Sequence, residues 1–297
     1  MVTGALLLTA CGGDSVAATV NDTEITTADV EGLLYEVSDF DRTSQQFAIY
    51  LGVTIQWEAI DQRVAEEFGF EPSEEEIDAE VRRLVIDAGF LDIPSYLVQQ
   101  NISEAALRRV ASQIVIEQHL HELFGPDVEA PDDEEVQQEL DESPERWVDE
   151  VCASHILVAT VEEAEAALVR LDAGESFADL AAELSIDTSN AETGGSLGCA
   201  DPIGYVPEFA RATATEPICV VAGPVETQFG AHLILIESRE LTPFEEVRDT
   251  LKELRTVDAV SDWLTEAVKM AAVTVDESRG TWVTEPEPFV QPPPELG

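Results

Sequence analysis

Two histidines on apolar strands are the groups in this chain best placed to do chemistry. His155 stands in Ala153-Ser154-His155-Ile156-Leu157-Val158, and His232, seventy-seven residues later, in Gly230-Ala231-His232-Leu233-Ile234-Leu235-Ile236. Between them come Ser185-Ile186-Asp187, then Gly194-Gly195-Ser196-Leu197-Gly198, then Tyr205-Val206-Pro207-Glu208-Phe209. Two imidazoles and a carboxyl group suit three chemistries. A Ser/His/Asp hydrolase needs a nucleophile activated on a tight elbow; no Gly-x-Ser-x-Gly elbow is expected in the chain, nor one following either histidine. A metal site built from His155, His232 and Asp187 lacks a characteristic local spacing, so neither a metal nor a cofactor is expected. What remains is rotation about a peptide bond, with Leu197, Tyr205 and Phe209 as the apolar wall of a pocket. Tyr205 and Phe209 are four apart, on one face of a helix.

These residues need a small scaffold to hold them. The block 147–241 reads strand, helix, helix, Gly-rich loop, short helix, strand, with helices over Glu162–Leu171 and Phe177–Leu184 and Gly174 ending the first. The expectation is an α+β fold: a four-stranded, mostly antiparallel sheet with surrounding helices, inserted in or appended to a helical domain. Upstream, Val16–Thr26 reads as two short strands around an Asn-Asp turn, and helical patterns fill the rest of 16–130, with Ser73-Glu74-Glu75-Glu76 as a capping box and Ser103 as a second cap. Residues 131–146 read as a linker helix between domains. In 242–284, Phe244, Val247, Leu251, Leu254, Leu264 and Val268 repeat at helical spacing and are expected, with short strands, to pack on the N-terminal helices. The proline-rich end, 285–297, reads as a disordered tail.

The order of the central motifs resembles the parvulin family of peptidyl-prolyl cis/trans isomerases. The resemblance rests on Ser154-His155-Ile156-Leu157-Val158, Ser185-x-Asp187, Gly194-Gly195-x-Leu197-Gly198, Val206-Pro207-Glu208-Phe209 and Gly223-Pro224-Val225-x-Thr227-x-Phe229-Gly230-x-His232. It implies that His155 and His232 form the family's central pair, structural or catalytic, and that Asp187 lies near the substrate carbonyl. There Asp187 would either tune the field on the amide or hydrogen-bond the histidines. It also implies that Leu197 and Phe209 line a proline site, with Tyr205 where a methionine is common and Thr227 and Phe229 completing the rim. With its helical flanks the whole chain is similar to SurA- or PrsA-type extracytoplasmic folding factors. Unfolded secreted polypeptides containing X-Pro bonds are the partners this implies, and a holdase chaperone that only binds such clients is the alternative. The block departs from the family over Ala212–Cys219, where a clearer apolar stretch is usual.

Charge and cysteines bound the rest. With 62 acidic against 15 basic side chains and a formal charge of −47, the chain lacks the clustered Lys and Arg that phosphates require, which excludes nucleic acid as a partner and argues against phosphorylated Ser-Pro or Thr-Pro sites. Near the start, Leu8-Thr9-Ala10-Cys11 resembles a bacterial lipobox, so residues 1–15 are expected to be a signal segment and tether, with Cys11 lipidated and the protein anchored outside the cell membrane. Cys199 and Cys219 are the expected disulfide, and Cys152 reads as a small buried hydrophobe. His119 and His121 fall on different faces of a helix and are expected at its solvent or core edge.

Overall fold

The computed structural model describes residues 15–33 and 45–293, so Cys11 lies outside the described residues. In chain order the elements are β1 (Val16–Val20), β2 (Thr23–Thr26), α1 (Thr27–Glu31), α2 (Gln45–Phe68), α3 (Glu74–Asp87), α4 (Ile93–Gln100), α5 (Glu104–Phe124) and α6 (Asp133–Glu142). There follow β3 (Val148–Val158), α7 (Val161–Asp172), α8 (Phe177–Leu184), β4 (Ser196–Ala200), α9 (Pro207–Thr215), β5 (Val221–Thr227), β6 (Gly230–Leu241), α10 (Phe244–Met270), β7 (Val273–Val275), β8 (Thr281–Val283) and β9 (Phe289–Gln291). They form two compact units: residues up to Val128 together with those from Arg255 onward, and Glu129–Leu254, so the second unit is an insertion whose far boundary falls within α10.

The first unit joins distant parts of the chain. β1 pairs antiparallel with β2 and with β7, across more than 250 residues, and Ser73 and Ser103 cap α3 and α5 through their side chains. Val64, Ile116, Leu120 and Val260 make one core cluster, while Phe47, Leu51, Ile55 and Val268 make another. The proline-rich end departs from the expected disorder. β9 pairs with β8, and Val290 is buried, its backbone against the open face of Gly52 in α2. A proline still accepts hydrogen bonds, and Gln56 Nε2 donates to the Pro288 carbonyl at 2.7 Å.

The second unit holds the antiparallel sheet β4-β3-β6-β5. One face, with Ile156, Val158, Ala231 and Leu233, packs under α7 and α8; the other, with Val151, Ala153, Ile234 and Ile236, packs under α9. Two expectations need correction here. The segment 131–146 is not a free linker, because Val136 and Leu140 of α6 pack with Trp147 and with Phe244, Val247 and Leu251 at the start of α10. Those three α10 residues accordingly find their partner in this unit and not in the N-terminal helices.

The disulfide also differs. Antiparallel register sets Cys152 of β3 opposite Cys199 of β4, and these two are bonded, leaving Cys219 exposed as a free thiol. The sheet order explains why Cys199 and Cys219 do not pair. Cys199 lies on one edge strand, whereas Cys219 donates its N–H to Ile236 on the far flank of β6. Three strand spacings of ~4.8 Å separate those edges, well beyond disulfide reach. Alkylation followed by mass spectrometry should therefore label Cys219 without reductant and Cys152 and Cys199 only after reduction, and reduction should cost about 2–4 kcal/mol of stability. Labelling of Cys152 in the unreduced protein would contradict this pairing.

Candidate active site

The site begins with register. In the β3–β6 pair His155 faces Ile234 and Leu157 faces His232, so the two histidines are diagonal neighbours on one face of the sheet. That face is otherwise apolar: the rows run Val151, Ala153, His155 on β3 and His232, Ile234, Ile236 on β6. Both rings are buried, 5 % and 4 % exposed, so each needs a partner for its nitrogens. They use each other, with Nδ1 to Nδ1 at 3.1 Å. The same diagonal step continues to β5, where Val225 faces His232 and Thr227 faces Gly230, bringing Thr227 Oγ1 to 2.9 Å from His232 Nε2.

At the other end, His155 Nε2 meets Asp187 Oδ2 at 3.0 Å. Asp187 reaches it because the loop after α8 is laced to the end of β3: Ile186 N donates to the Leu157 carbonyl at 2.8 Å, and Leu157 N donates to Ser185 Oγ at 3.2 Å. The Gly-rich loop closes the same edge, His155 N donating to the Gly195 carbonyl at 2.8 Å. Gly195 is required there, since its φ is +78° and a Cβ would come within 2.0 Å of the His155 carbonyl oxygen.

A line of four side chains results: Asp187, His155, His232, Thr227. Hydrogen bonds from Ser189, first its hydroxyl and then its backbone N–H, with further donors in Asn190 and His155, hold the Asp187 carboxyl at a pKa of about 2. An ionised carboxylate only accepts, so His155 carries its proton on Nε2. Burial, reinforced by the neighbouring His155, pushes His232 down to about 4, so its ring is neutral at ordinary pH. A His155 singly protonated on Nε2 leaves Nδ1 to accept, and His232 then donates from Nδ1 and accepts from the Thr227 hydroxyl on Nε2. The Phe229 N–H in turn donates to Thr227 Oγ1 at 3.1 Å.

Against this line stands the aromatic wall. Phe209, near the start of α9 after Pro207, is 3 % exposed, and its ring stands edge-on to both imidazoles, 5.2 Å from His232 and 5.9 Å from His155 between centroids. Tyr205 lies 5.0 Å from Phe209, and half-buried Leu197 joins the same cluster. Phe229 is exposed beside Thr227. The Tyr205 hydroxyl is buried without a hydrogen-bond partner, and burial raises its pKa.

Sequence reasoning passed over Ser189 and Asn190, which hold the carboxylate. The signal was present in Asp187-Thr188-Ser189-Asn190, a run of short polar side chains that bond their own backbone. It also passed over the letters Gly-x-Ser-x-Gly in Gly194–Gly198. That string enters the edge strand β4, not a helix, and Ser196 Oγ accepts from Gly198 N at 3.3 Å while both histidines are engaged elsewhere, so it is no nucleophile elbow. His119 stacks on Phe70, ring centroids 3.8 Å apart, in the other unit.

The titration of His232 and Asp187 has a sign. An unfolded chain protonates His232 near 6.5 and the folded one only near 4, so stability present above pH 6.5 is lost as pH falls towards 4; Asp187 adds a further loss between 3.8 and about 2. Melting temperatures across pH should fall through the upper window in the wild type and flatten there in His232→Gln. An unchanged slope in that variant would show that His232 is not the group responsible.

Residues 142–240 match the family model of the PPIC-type PPIase domain. Among relatives, the foldase protein PrsA of Halalkalibacterium halodurans is 38 % identical over 172 residues, covering 55 % of this chain and 50 % of that one. The foldase protein PrsA 2 of Bacillus cereus is 26 % identical over 283 residues, covering 92 % and 90 %. The crystal structure of a PrsA peptidylprolyl isomerase from Bacillus cereus aligns over 86 % of this chain and 92 % of that one, at 19 % identity and a TM-score of 0.47. The chain spans about half the length of the first relatives it matches. By motif order and by family model alike, the block 142–240 of this chain belongs to the parvulin, or PPIC-type, peptidyl-prolyl isomerase domains.

Proposed function

We propose that the protein is a peptidyl-prolyl cis/trans isomerase that assists the folding of secreted or cell-envelope proteins. The observation that carries this reading is the unbroken line Asp187–His155–His232–Thr227 lying edge-on to the Phe209 ring. An amide resists rotation by about 18–20 kcal/mol because the twisted form loses conjugation, and unaided X-Pro exchange takes tens of seconds. Lowering that to milliseconds needs roughly 5.5 kcal/mol, about 10⁴-fold, and breaks no bond. Differential binding suffices for this.

In this reading Leu197, Tyr205 and Phe209 hold the prolyl ring, and Thr227 and Phe229 form the rim. The planar amide carries more negative charge on its oxygen than the twisted one. A fixed anion such as Asp187 beside that oxygen therefore disfavours the planar ground state relative to the transition state. The imidazoles, hydrogen-bonded end to end, hold the acid in place and keep the strands in register. The basic groups that would select a phosphate are absent from this line.

A second role as a holdase is favoured by the exposed apolar side chains Ile86, Leu91 and Val98 on α3, α4 and the turn between them, which an extended client could cover. Placement outside the cytoplasm is supported by the Cys152–Cys199 disulfide, and tethering rests on lipidation of Cys11, since no helix among the described residues is long and apolar enough to cross a membrane.

Exchange spectroscopy on short X-Pro peptides tests the enzyme reading. The full chain should accelerate exchange well above buffer, and Asp187→Ala and Phe209→Ala should each lower kcat/KM by at least about ten-fold. A folded wild type that leaves the peptide at its uncatalysed rate would leave the holdase role alone standing.

A further inference from the structure

Asp187 is gripped from four sides. Oδ1 accepts from Ser189 Oγ at 2.6 Å and from Ser189 N at 3.1 Å; Oδ2 accepts from His155 Nε2 at 3.0 Å and from Asn190 Nδ2 at 2.7 Å. Three of those donors are accounted for by a local turn or by the histidine line. Asn190, the last residue of that turn, is the fourth, and it is also tied into the Gly-rich loop.

Its surroundings show why its amide points as it does. Asn190 is 7 % exposed, and its carbonyl accepts from Thr193 N at 2.9 Å and Gly195 N at 3.0 Å, which ties it to the loop whose Gly195 carbonyl accepts from His155 N. The main chain thus fixes Asn190 relative to His155 while the side chain reaches Asp187. The reverse amide orientation would put Oδ1 and Oδ2, two acceptors, 2.7 Å apart, so the NH₂ group faces the acid. Nδ2 and His155 Nε2 then lie 3.2 Å apart as two donors sharing one acceptor oxygen. The remaining amide oxygen, Asn190 Oδ1, is buried without a partner. A buried carbonyl left unpaired is a desolvation cost that an apolar side chain filling the same space would not incur.

We propose that Asn190 is a positioning residue of the isomerase site: by filling the second acceptor direction of Asp187 Oδ2, it aims the carboxylate at His155 and sets which nitrogen of each imidazole carries the proton. This rests on the isomerase reading for its use, but not for its test. With Nδ2 in place, Oδ2 cannot take a proton without losing a donor, so His155 must donate from Nε2. Every later bond in the line then has one direction. Remove the amide and the carboxylate can rotate about its Cβ–Cγ bond towards Ser189, freeing His155 to hold its proton on either nitrogen.

The test uses the full chain with ¹⁵N-labelled histidines, whose ring nitrogen shifts distinguish the two neutral tautomers; His119 and His121 are assigned by single substitutions. Wild type should show His155 protonated at Nε2 and His232 at Nδ1. Asn190→Ala removes the donor, and Asn190→Asp replaces it with a second acid of the same shape. In both, the two site histidines should lose their single tautomer, and peptide exchange should slow roughly ten-fold at saturating peptide with KM held within about two-fold. Unchanged ring nitrogen shifts in either folded variant overturn the proposal. If neither variant folds, the wild type decides, because Asn190 side-chain amide protons that exchange with solvent as freely as those of an exposed amide contradict the bond to Asp187. A wild type with the expected tautomers but no exchange activity would remove the isomerase reading and leave the role of Asn190 in the line intact.

Discussion

The antiparallel register between β3 and β6 is the constraint on which the site depends. It places His155 opposite Ile234 and His232 opposite Leu157, so that both rings emerge on one face, a diagonal step apart. A slip of one residue would turn the ring on the slipped strand to the α7–α8 side and break the bond between the two histidines. The apolar neighbours enforce this register, since Ala153, Ile234 and Ile236 must face α9 while Ile156, Val158 and Leu233 must face α7 and α8. The histidines are thus polar groups carried into the interior by an alternation that their neighbours dictate.

Once buried, the rings must satisfy their nitrogens, and the structure does so by passing hydrogen bonds from strand to strand to an acid at one end and a hydroxyl at the other. Low local polarity strengthens such a line and makes any gap in it costly. That cost is carried in part by the turn around Asp187, where Ser189 and Asn190 together supply three of the acid's four donors. Such a line needs rigidity more than reactivity.

Much of this was legible in the residues. The two histidine strands, Asp187, Phe209 and Thr227 stand at motif positions, and helix caps such as Ser73 and Ser103 announced their helices through their own side chains. What escaped depended on partners that no local pattern names. The Cys152–Cys199 bond follows from the pairing of β4, a five-residue, glycine-containing edge strand with little apolar signal. Asn190 matters only once the Gly-rich loop has folded back onto β3. β9 hid behind prolines that read as breakers, and the first turns of α10 found α6 because a single buried valine, Val136, anchors that acidic helix.

Within the inserted unit β3 starts where β6 stops: Val148 faces Leu241, and Thr242 N donates to the Trp147 carbonyl. His155 lies seven residues further along β3, roughly 23 Å at ~3.3 Å per residue. Tension applied through the chain on either side of that pairing would peel the central strand pair open from there. The imidazoles sit at the far end of that zipper and would be the last part to separate.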